Sequence, residues 1–142
     1  MPTPATTGFH HFSVTVRDVD ASAAWYERVL GIQPIPVPFP HWGDEKGGHA
    51  VVLMNPENGL IIGLHHHEAN DGEPFQEART GLDHLALGVA QRADLDVWAA
   101  WLDELGIEHS GVIDATEPIP YSVVVFRDPD NIQLELAYMA AG

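Results

Sequence analysis

A repeated hexapeptide places the strongest constraint on how this chain can fold. His11-Phe-Ser-Val-Thr-Val recurs 73 positions later as His84-Leu-Ala-Leu-Gly-Val. Similarity at a fixed spacing of half the chain indicates two copies of one supersecondary unit. The 142 residues suit one compact domain or two small fused modules. The repeat therefore predicts a tandem arrangement of two like modules.

Each copy of the hexapeptide precedes an amphipathic helix. Apolar residues at helical spacing predict helices over residues 20–30 and 93–105. Asp20 is the expected N-cap of the first helix, and Gly31 and Gly106 follow the two C-termini.

A hairpin then follows each helix. Proline-containing turns at 55–59 and 128–131 separate strands predicted at 49–54, 60–66, 122–127 and 132–138. Residues 32–37 and 108–112 are weaker strand candidates. Each half is thus predicted as strand–helix–strand–strand–strand, an α+β fold. We expect a disordered lead-in at residues 1–7, modules at 8–66 and 81–139, and a linker at 67–80, where periodicity is absent.

Strand alternation predicts which side chains share a face of each sheet. Successive side chains point to opposite sides, so the apolar residues of each strand face the helix. His11, His84 and Glu135 then lie on the other face, among small or polar neighbours. A carboxylate without a partner in such a place is costly. A divalent metal removes that cost, and two His with one carboxylate form a facial triad with open positions. Polar residues satisfied by hydrogen bonds are the alternative.

Composition excludes several classes of function. Twenty-one acidic against six basic residues give a net charge of −15, which disfavours nucleic acid and anionic membranes as partners. The absence of cysteine excludes thiol catalysis, zinc–thiolate sites and iron–sulfur ligation, and is compatible with the cytoplasm, the expected location. No apolar run approaches the roughly 18–20 residues of a membrane span, and the N-terminus does not have the pattern of a signal peptide.

The chain resembles the vicinal oxygen chelate superfamily, which includes glyoxalase I, bleomycin- and fosfomycin-resistance proteins and extradiol dioxygenases. The resemblance spans about residues 8–138. Its motifs are the two His-initiated strands, Trp25-Tyr26, Val29-Leu30-Gly31 and Phe126-Arg-Asp-Pro-Asp-Asn-Ile-Gln-Leu-Glu135-Leu.

The resemblance implies paired βαβββ modules that form a U-shaped, cupped mixed sheet around a metal, with the helices on the outer face. The metal ligands come from the first and fourth strands of each module, and His11, His84 and Glu135 match three of these positions. It also implies a homodimer in which His11 of one chain joins His84 and Glu135 of the other.

The fourth ligand position departs from the glyoxalase I pattern. Aligning the two hairpins, with Gly59 as one extra turn residue, places Gly63 opposite Glu135, and without that offset the match is Ile62. Neither side chain can coordinate a metal, whereas glyoxalase I-like members use a carboxylate there as the base. His65 shares the parity of Gly63 and is a candidate acid–base group or fourth ligand, or else part of an exposed strand end.

Other polar residues carry weaker expectations. Arg17 and Tyr121 are candidates for orienting a substrate, although a structural role is as compatible with the sequence. His10 has the opposite parity from His11 and is expected to be structural or exposed. The loops at residues 39–47 and 115–120 are expected to shape a substrate pocket.

These patterns favour a metal-dependent enzyme that acts on a small molecule chelated at the His/His/Glu site. Dioxygenase-type chemistry with Fe(II) is favoured over a lyase or isomerase with Mn, Ni or Zn. A thiol transferase of the fosfomycin type is a weaker alternative, because one lysine and five arginines offer little positive charge for a phosphonate. An antibiotic-binding resistance protein without catalysis is the third hypothesis.

Overall fold

The computed structural model describes residues 2–40 and 47–140, which divide into two compact units, Met1–Glu73 and Pro74–Gly142. The boundary lies inside the segment 67–80 that the sequence predicts as a linker. Most of the loop expected at residues 39–47 lies outside the described residues.

The first unit is a five-stranded sheet with one helix. Its elements are β1 (Phe12–Thr15), α1 (Val19–Leu30), β2 (Gln33–Pro34), β3 (Phe39–Pro40), β4 (Gly48–Met54) and β5 (Ile61–His67). β1 runs parallel to β5, and β5 is antiparallel to β4. The short strands β2 and β3 both pair with β4. The strand predicted at 32–37 shrinks to two residues because Pro34 and Pro36 have no N–H to donate.

The second unit is a four-stranded sheet with one helix. Its elements are β6 (Leu85–Gly88), α2 (Arg92–Glu104), β7 (Ile113–Ala115), β8 (Tyr121–Arg127) and β9 (Gln133–Tyr138), and the sheet order is β6-β9-β8-β7. The strand predicted at 108–112 is wrong. Gly111 adopts a positive φ of 73°, which interrupts the extended chain, so the paired strand begins at Ile113 and His109 keeps only an isolated bridge to Phe126.

The helices and mixed sheets of the two units confirm the predicted α+β arrangement. In β8 and β9 every second residue is buried and the intervening residues are more exposed, whereas β5 buries the consecutive residues 62–64. The buried hydrophobic residues include Val14, Val16, Tyr26, Val29, Leu53, Ile62 and Leu64 in the first unit, and Leu95, Leu102, Val124, Phe126, Leu134 and Leu136 in the second. The helices and hairpin strands start and end within one residue of their predicted positions.

The N-terminus of α1 differs from the expectation. Asp18, rather than Asp20, is the N-cap: its backbone is extended, and its side chain accepts a hydrogen bond from the Ala21 N–H at 3.0 Å. Asp20 lies inside the first turn. The helix ends as predicted at Gly31, whose left-handed conformation (φ 68°) brings its N–H to the Glu27 carbonyl.

Replacing the N-cap distinguishes the two aspartates. Asp18→Ala leaves one N–H of the first turn without an acceptor and should lower the free energy of unfolding by about 1 kcal/mol. Asp20→Ala, the matched control, removes only a favourable charge near the helix N-terminus and should cost less. Urea denaturation of both variants measures the difference, and an equal or larger loss in Asp20→Ala would contradict the assignment.

Candidate functional site

Strand register identifies the equivalent positions of the two units. β1 pairs with β5 so that Ser13 lies opposite Gly63, and β6 pairs with β9 so that Ala86 lies opposite Glu135. Ser13 and Ala86 are 73 positions apart and occupy the same place in the repeat. Gly63 is therefore the counterpart of Glu135, and the alignment with Gly59 as an extra turn residue is confirmed. The alternative match, Ile62, is buried in the core.

His84 and Glu135 lie together in the second unit. Nε2 of His84 is 3.6 Å from Oε2 of Glu135, and the two side chains are 40% and 15% exposed. Two donors of one ion with metal–ligand bonds near 2.1 Å are separated by roughly 3.0–3.4 Å. A movement of a few tenths of an ångström would bring both atoms to one metal, so this pair fits a divalent ion.

Asp83 holds the other side of the His84 ring. Its Oδ1 lies 2.7 Å from Nδ1 of His84. This hydrogen bond is the main cause of a raised His84 pKa; desolvation opposes the shift, and the charge of Glu135 adds to it. Because a carboxylate only accepts, Nδ1 of His84 donates. In the neutral ring, Nε2 is then a bare lone pair directed toward Glu135.

A chain of polar contacts leads away from Glu135. Its Oε1 accepts from Nε2 of Gln133 at 3.2 Å, and the Gln133 oxygen accepts from Arg127 at 3.2 Å. The Arg127 guanidinium also donates to both carboxylate oxygens of Glu77, at 3.0 and 2.7 Å. Asn131 adds a bond to the Phe75 carbonyl. The segment around residues 75–77 is thus attached to the β8–β9 hairpin, and the hairpin orients Glu135.

His11 has a different neighbour in the first unit. Both His11 and His10 are exposed, and their Nδ1 atoms lie 2.8 Å apart with the rings edge to face. His10 was expected to be structural or exposed, and it is exposed. The contact between His10 and His11 could not be predicted from the sequence. Strand parity predicts which face of a sheet a side chain takes, but it does not predict contacts between neighbouring residues that precede the strand.

His65 extends over the position of Gly63. It lies in β5, half-buried, with Thr15 and Ala50 as its strand partners. A Cβ placed on Gly63 would lie 3.5 Å from Nε2 of His65 and would overlap Oγ of Ser13. The space that a side chain at this position would occupy is therefore filled by Ser13 and the His65 imidazole.

The two candidate substrate-orienting residues lie at strand ends. Arg17 is exposed after the end of β1. Tyr121 opens β8 on the face that also carries Val125, the strand partner of Glu135. Four residues of strand separate Tyr121 from Val125, about 13 Å, so Tyr121 could contact only the far end of a molecule bound at Glu135. The loop at 115–120 precedes it.

Within residues 2–40 and 47–140, no group of three or more His, Asp or Glu side chains is arranged to hold a metal ion. His11 belongs to the first unit, whereas His84 and Glu135 belong to the second. Each unit alone thus contains fewer than three of the expected ligands. In the described part of the chain, no helix is long and apolar enough to cross a membrane.

Comparisons with known proteins agree on the fold. Residues 8–136 match the family described as the Glyoxalase/Bleomycin resistance protein/Dioxygenase superfamily. A glyoxylase/bleomycin resistance protein/dioxygenase domain from Frankia sp. EAN1pec is 31% identical, with a TM-score of 0.81 over 96% of this chain and 100% of that one. No curated protein matches the chain.

More distant structures share the fold alone. A glyoxalase family protein from Enterococcus faecalis has 22% identity and a TM-score of 0.68, over 93% of this chain and 98% of that one. The fosfomycin resistance protein FosX from Listeria monocytogenes, complexed with Mn(II) and sulfate, has 18% identity and a TM-score of 0.64, over 96% of this chain and 95% of that one.

The ion pair between Arg127 and Glu77 predicts a dependence of stability on pH. The hydrogen bonds from Arg127 lower the pKa of Glu77 from 4.5 to about 2. A depressed pKa in the folded state means that the contribution is complete above pH 4.5 and is lost as the pH falls toward 2. Glu77→Gln should therefore lower the urea midpoint at pH 7, and its difference from wild type should narrow toward pH 3.

Glu57→Gln is the matched control for this experiment, because within the described residues the Glu57 carboxylate forms no ion pair. Its difference from wild type should stay small throughout the same pH range. A Glu77→Gln variant whose deficit is constant from pH 7 to pH 3 would argue against the ion pair as the cause.

The crowding at Gly63 predicts a coupled pair of substitutions. A strand glycine replaced by alanine ordinarily gains roughly 0.5–1 kcal/mol. Gly63→Ala should instead lose about 1 kcal/mol, because the new Cβ overlaps Oγ of Ser13. Adding Ser13→Ala removes that oxygen and should restore part of the loss. Urea denaturation of the two single variants and the double variant gives the coupling, and a Gly63→Ala chain as stable as wild type would refute it.

Proposed function

Because the chain belongs to the Glyoxalase/Bleomycin resistance protein/Dioxygenase superfamily, we propose that it is a divalent-metal-dependent enzyme that acts on a small molecule. The proposed ligands are His11, His84 and Glu135. The observation that carries the proposal is the approach of Nε2 of His84 to Oε2 of Glu135, at 3.6 Å. The opposite atoms of both side chains, Nδ1 and Oε1, are held by Asp83 and Gln133.

The donor set favours one kind of chemistry within the superfamily. Two imidazoles and one carboxylate leave several coordination positions open, as in non-haem Fe(II) oxygenases. A bound ion would supply a Lewis acid and adjacent positions for dioxygen or for a substrate with neighbouring oxygen atoms. Gly63, the counterpart of Glu135, offers no fourth carboxylate to serve as a base. We therefore favour dioxygenase-type chemistry with Fe(II) over a lyase or isomerase with Mn, Ni or Zn.

His65 is the proposed acid–base group of this site. Its Nε2 lies 3.5 Å from the Cβ position of Gly63, which is the repeat equivalent of a ligand position. An imidazole accepts or delivers a proton near neutral pH. In this role His65 would move protons on a bound substrate, while Tyr121 and Arg17 would contact more distant parts of it.

The charges of the second unit argue against a phosphonate substrate. Arg92 donates to Asp96 and to both oxygens of Asp114 at 2.8–2.9 Å, and Arg127 is paired with Glu77. Neither guanidinium is available to bind an anion without breaking an existing ion pair. The face around Glu135 carries Gln133, which bonds to it, and the apolar side chains of Val123 and Val125 on β8 and of Ala86 and Ala137 beside them. Such a surface favours an uncharged or aromatic molecule over the phosphonate that a fosfomycin-type thiol transferase requires.

The proposal includes the assembly that resemblance to the superfamily implies. We expect a homodimer in which His11 of one chain completes the site with His84 and Glu135 of the other, working in the cytoplasm.

An antibiotic-binding protein without catalysis is the second candidate. The net charge of −15 favours a binding protein only if the drug is cationic. A binding role also does not account for the contacts that orient His84 and Glu135.

Metal analysis tests the proposed site. Protein purified without chelator should bind close to one Fe(II), Mn, Ni or Zn per chain, and His84→Ala and Glu135→Ala should each abolish that binding. His109→Ala is the control and should bind as much metal as wild type. His109 lies in the same unit but is bonded to Asp103 and the Gly111 N–H, so it should not be a metal ligand. Equal losses in all three variants, or a wild-type protein that takes up no metal, would contradict the site.

Oxygen consumption tests the reaction. Protein loaded with Fe(II) should consume oxygen when simple catechols are added, and the rate should fall with His65→Ala while metal content stays unchanged. Metal-loaded protein that consumes no oxygen with any catechol would direct the search to lyase or isomerase chemistry. Tight binding of a cationic drug by metal-free protein would favour the binding-protein alternative.

A further inference from the structure

The residue before each proposed ligand histidine contacts Nδ1 of that histidine. In the second unit, Oδ1 of Asp83 lies 2.7 Å from Nδ1 of His84. In the first unit, Nδ1 of His10 lies 2.8 Å from Nδ1 of His11. His10 and Asp83 are 73 positions apart, so they hold the same place in the repeat and touch the same atom of equivalent residues.

The two partners differ in what they permit. A carboxylate only accepts hydrogen bonds, so Asp83 keeps the proton of a neutral His84 on Nδ1 and leaves Nε2 free to bind a metal. An imidazole nitrogen either donates or accepts. When His11 donates to His10, Nε2 of His11 is free; when His10 donates to His11, the proton of His11 is on Nε2 and blocks coordination there.

We propose that Asp83 and His10 are positioning residues for the two ligand histidines and that they act unequally. Asp83 fixes His84 in the tautomer that binds metal, whereas His10 leaves His11 divided between a binding and a non-binding tautomer. This inference rests on the proposed metal site. It makes His11 the ligand that limits affinity, because only the fraction of chains with the binding tautomer can coordinate.

Nitrogen-15 NMR of the imidazole rings in metal-free protein tests the tautomers directly at one fixed alkaline pH, at which the His84 ring is neutral despite its raised pKa. Wild type should show His84 with its proton on Nδ1 and His11 as a mixture of both forms. Asp83→Ala should release His84 into a mixture, and Asp83→Asn should restore the Nδ1–H form in part, because the amide oxygen still accepts. The side chain of Asp83 is 68% exposed, so these variants should keep the fold.

Metal titration tests the consequence, with Co(II) as the probe because its visible spectrum reports nitrogen and oxygen ligands. Asp83→Ala should weaken binding about 10- to 100-fold. His10→Asp copies the second unit into the first and should strengthen binding about two- to tenfold, since His11 no longer spends part of its time in the non-binding form. Asp103→Ala is the control: its carboxylate pairs with His109 at 2.7 Å, and its loss should leave Co(II) affinity unchanged.

The two measurements separate this inference from the proposed function. Wild-type protein that binds Co(II), with affinity unchanged in Asp83→Ala and not improved in His10→Asp, would overturn the inference and leave the metal site standing. Wild-type protein that binds no Co(II) would overturn the metal site. The NMR spectra would then still show whether Asp83 fixes the tautomer of His84 and whether His10 leaves His11 as a mixture. A loss in Asp103→Ala equal to that in Asp83→Ala would also count against the inference.

Discussion

The parallel pairing of the first and last strands in each unit is the constraint on which the site depends. β1 lies beside β5 and β6 beside β9 in the same register, so equivalent residues of the two units face equivalent neighbours. A slip of one residue would turn every side chain of a strand to the opposite face. Burial of Leu134 and Leu136 against the helix prevents that slip in β9, and the same burial keeps Glu135 on the other face, next to His84.

Much of the fold could be predicted from the repeat and from apolar periodicity. The two helices, the long strands and the membership of the superfamily all agree with expectations drawn from the sequence. The errors occur where local backbone geometry decides the outcome. Asp18 and Asp20 are equally plausible N-caps by residue type, and only the extended backbone of Asp18 distinguishes them. The strand displaced to Ile113 follows from the positive φ of Gly111, which composition does not reveal.

For the candidate site, the sequence could predict only which face of the sheet each side chain takes. Alternation places His84 and Glu135 on one side of the second sheet, and their 3.6 Å separation agrees with it. The contacts that orient them were missed, because they depend on side-chain conformation and on the path of a segment without periodicity. Glu77 lies 50 positions before Arg127, and no pattern in the sequence connects the two. Asp83 and His10 precede their strands, where alternation makes no prediction.

The two units share a backbone plan but differ at the positions of the proposed site. Glu135 has Gly63 as its counterpart, and the space above Gly63 is taken by Ser13 and His65. Asp83 has His10 as its counterpart. In both pairs the carboxylate belongs to the second unit and the first unit has a neutral or titratable substitute. In the proposed site, the second unit would therefore supply the carboxylate and the histidine held by Asp83, and the first unit would supply only histidines.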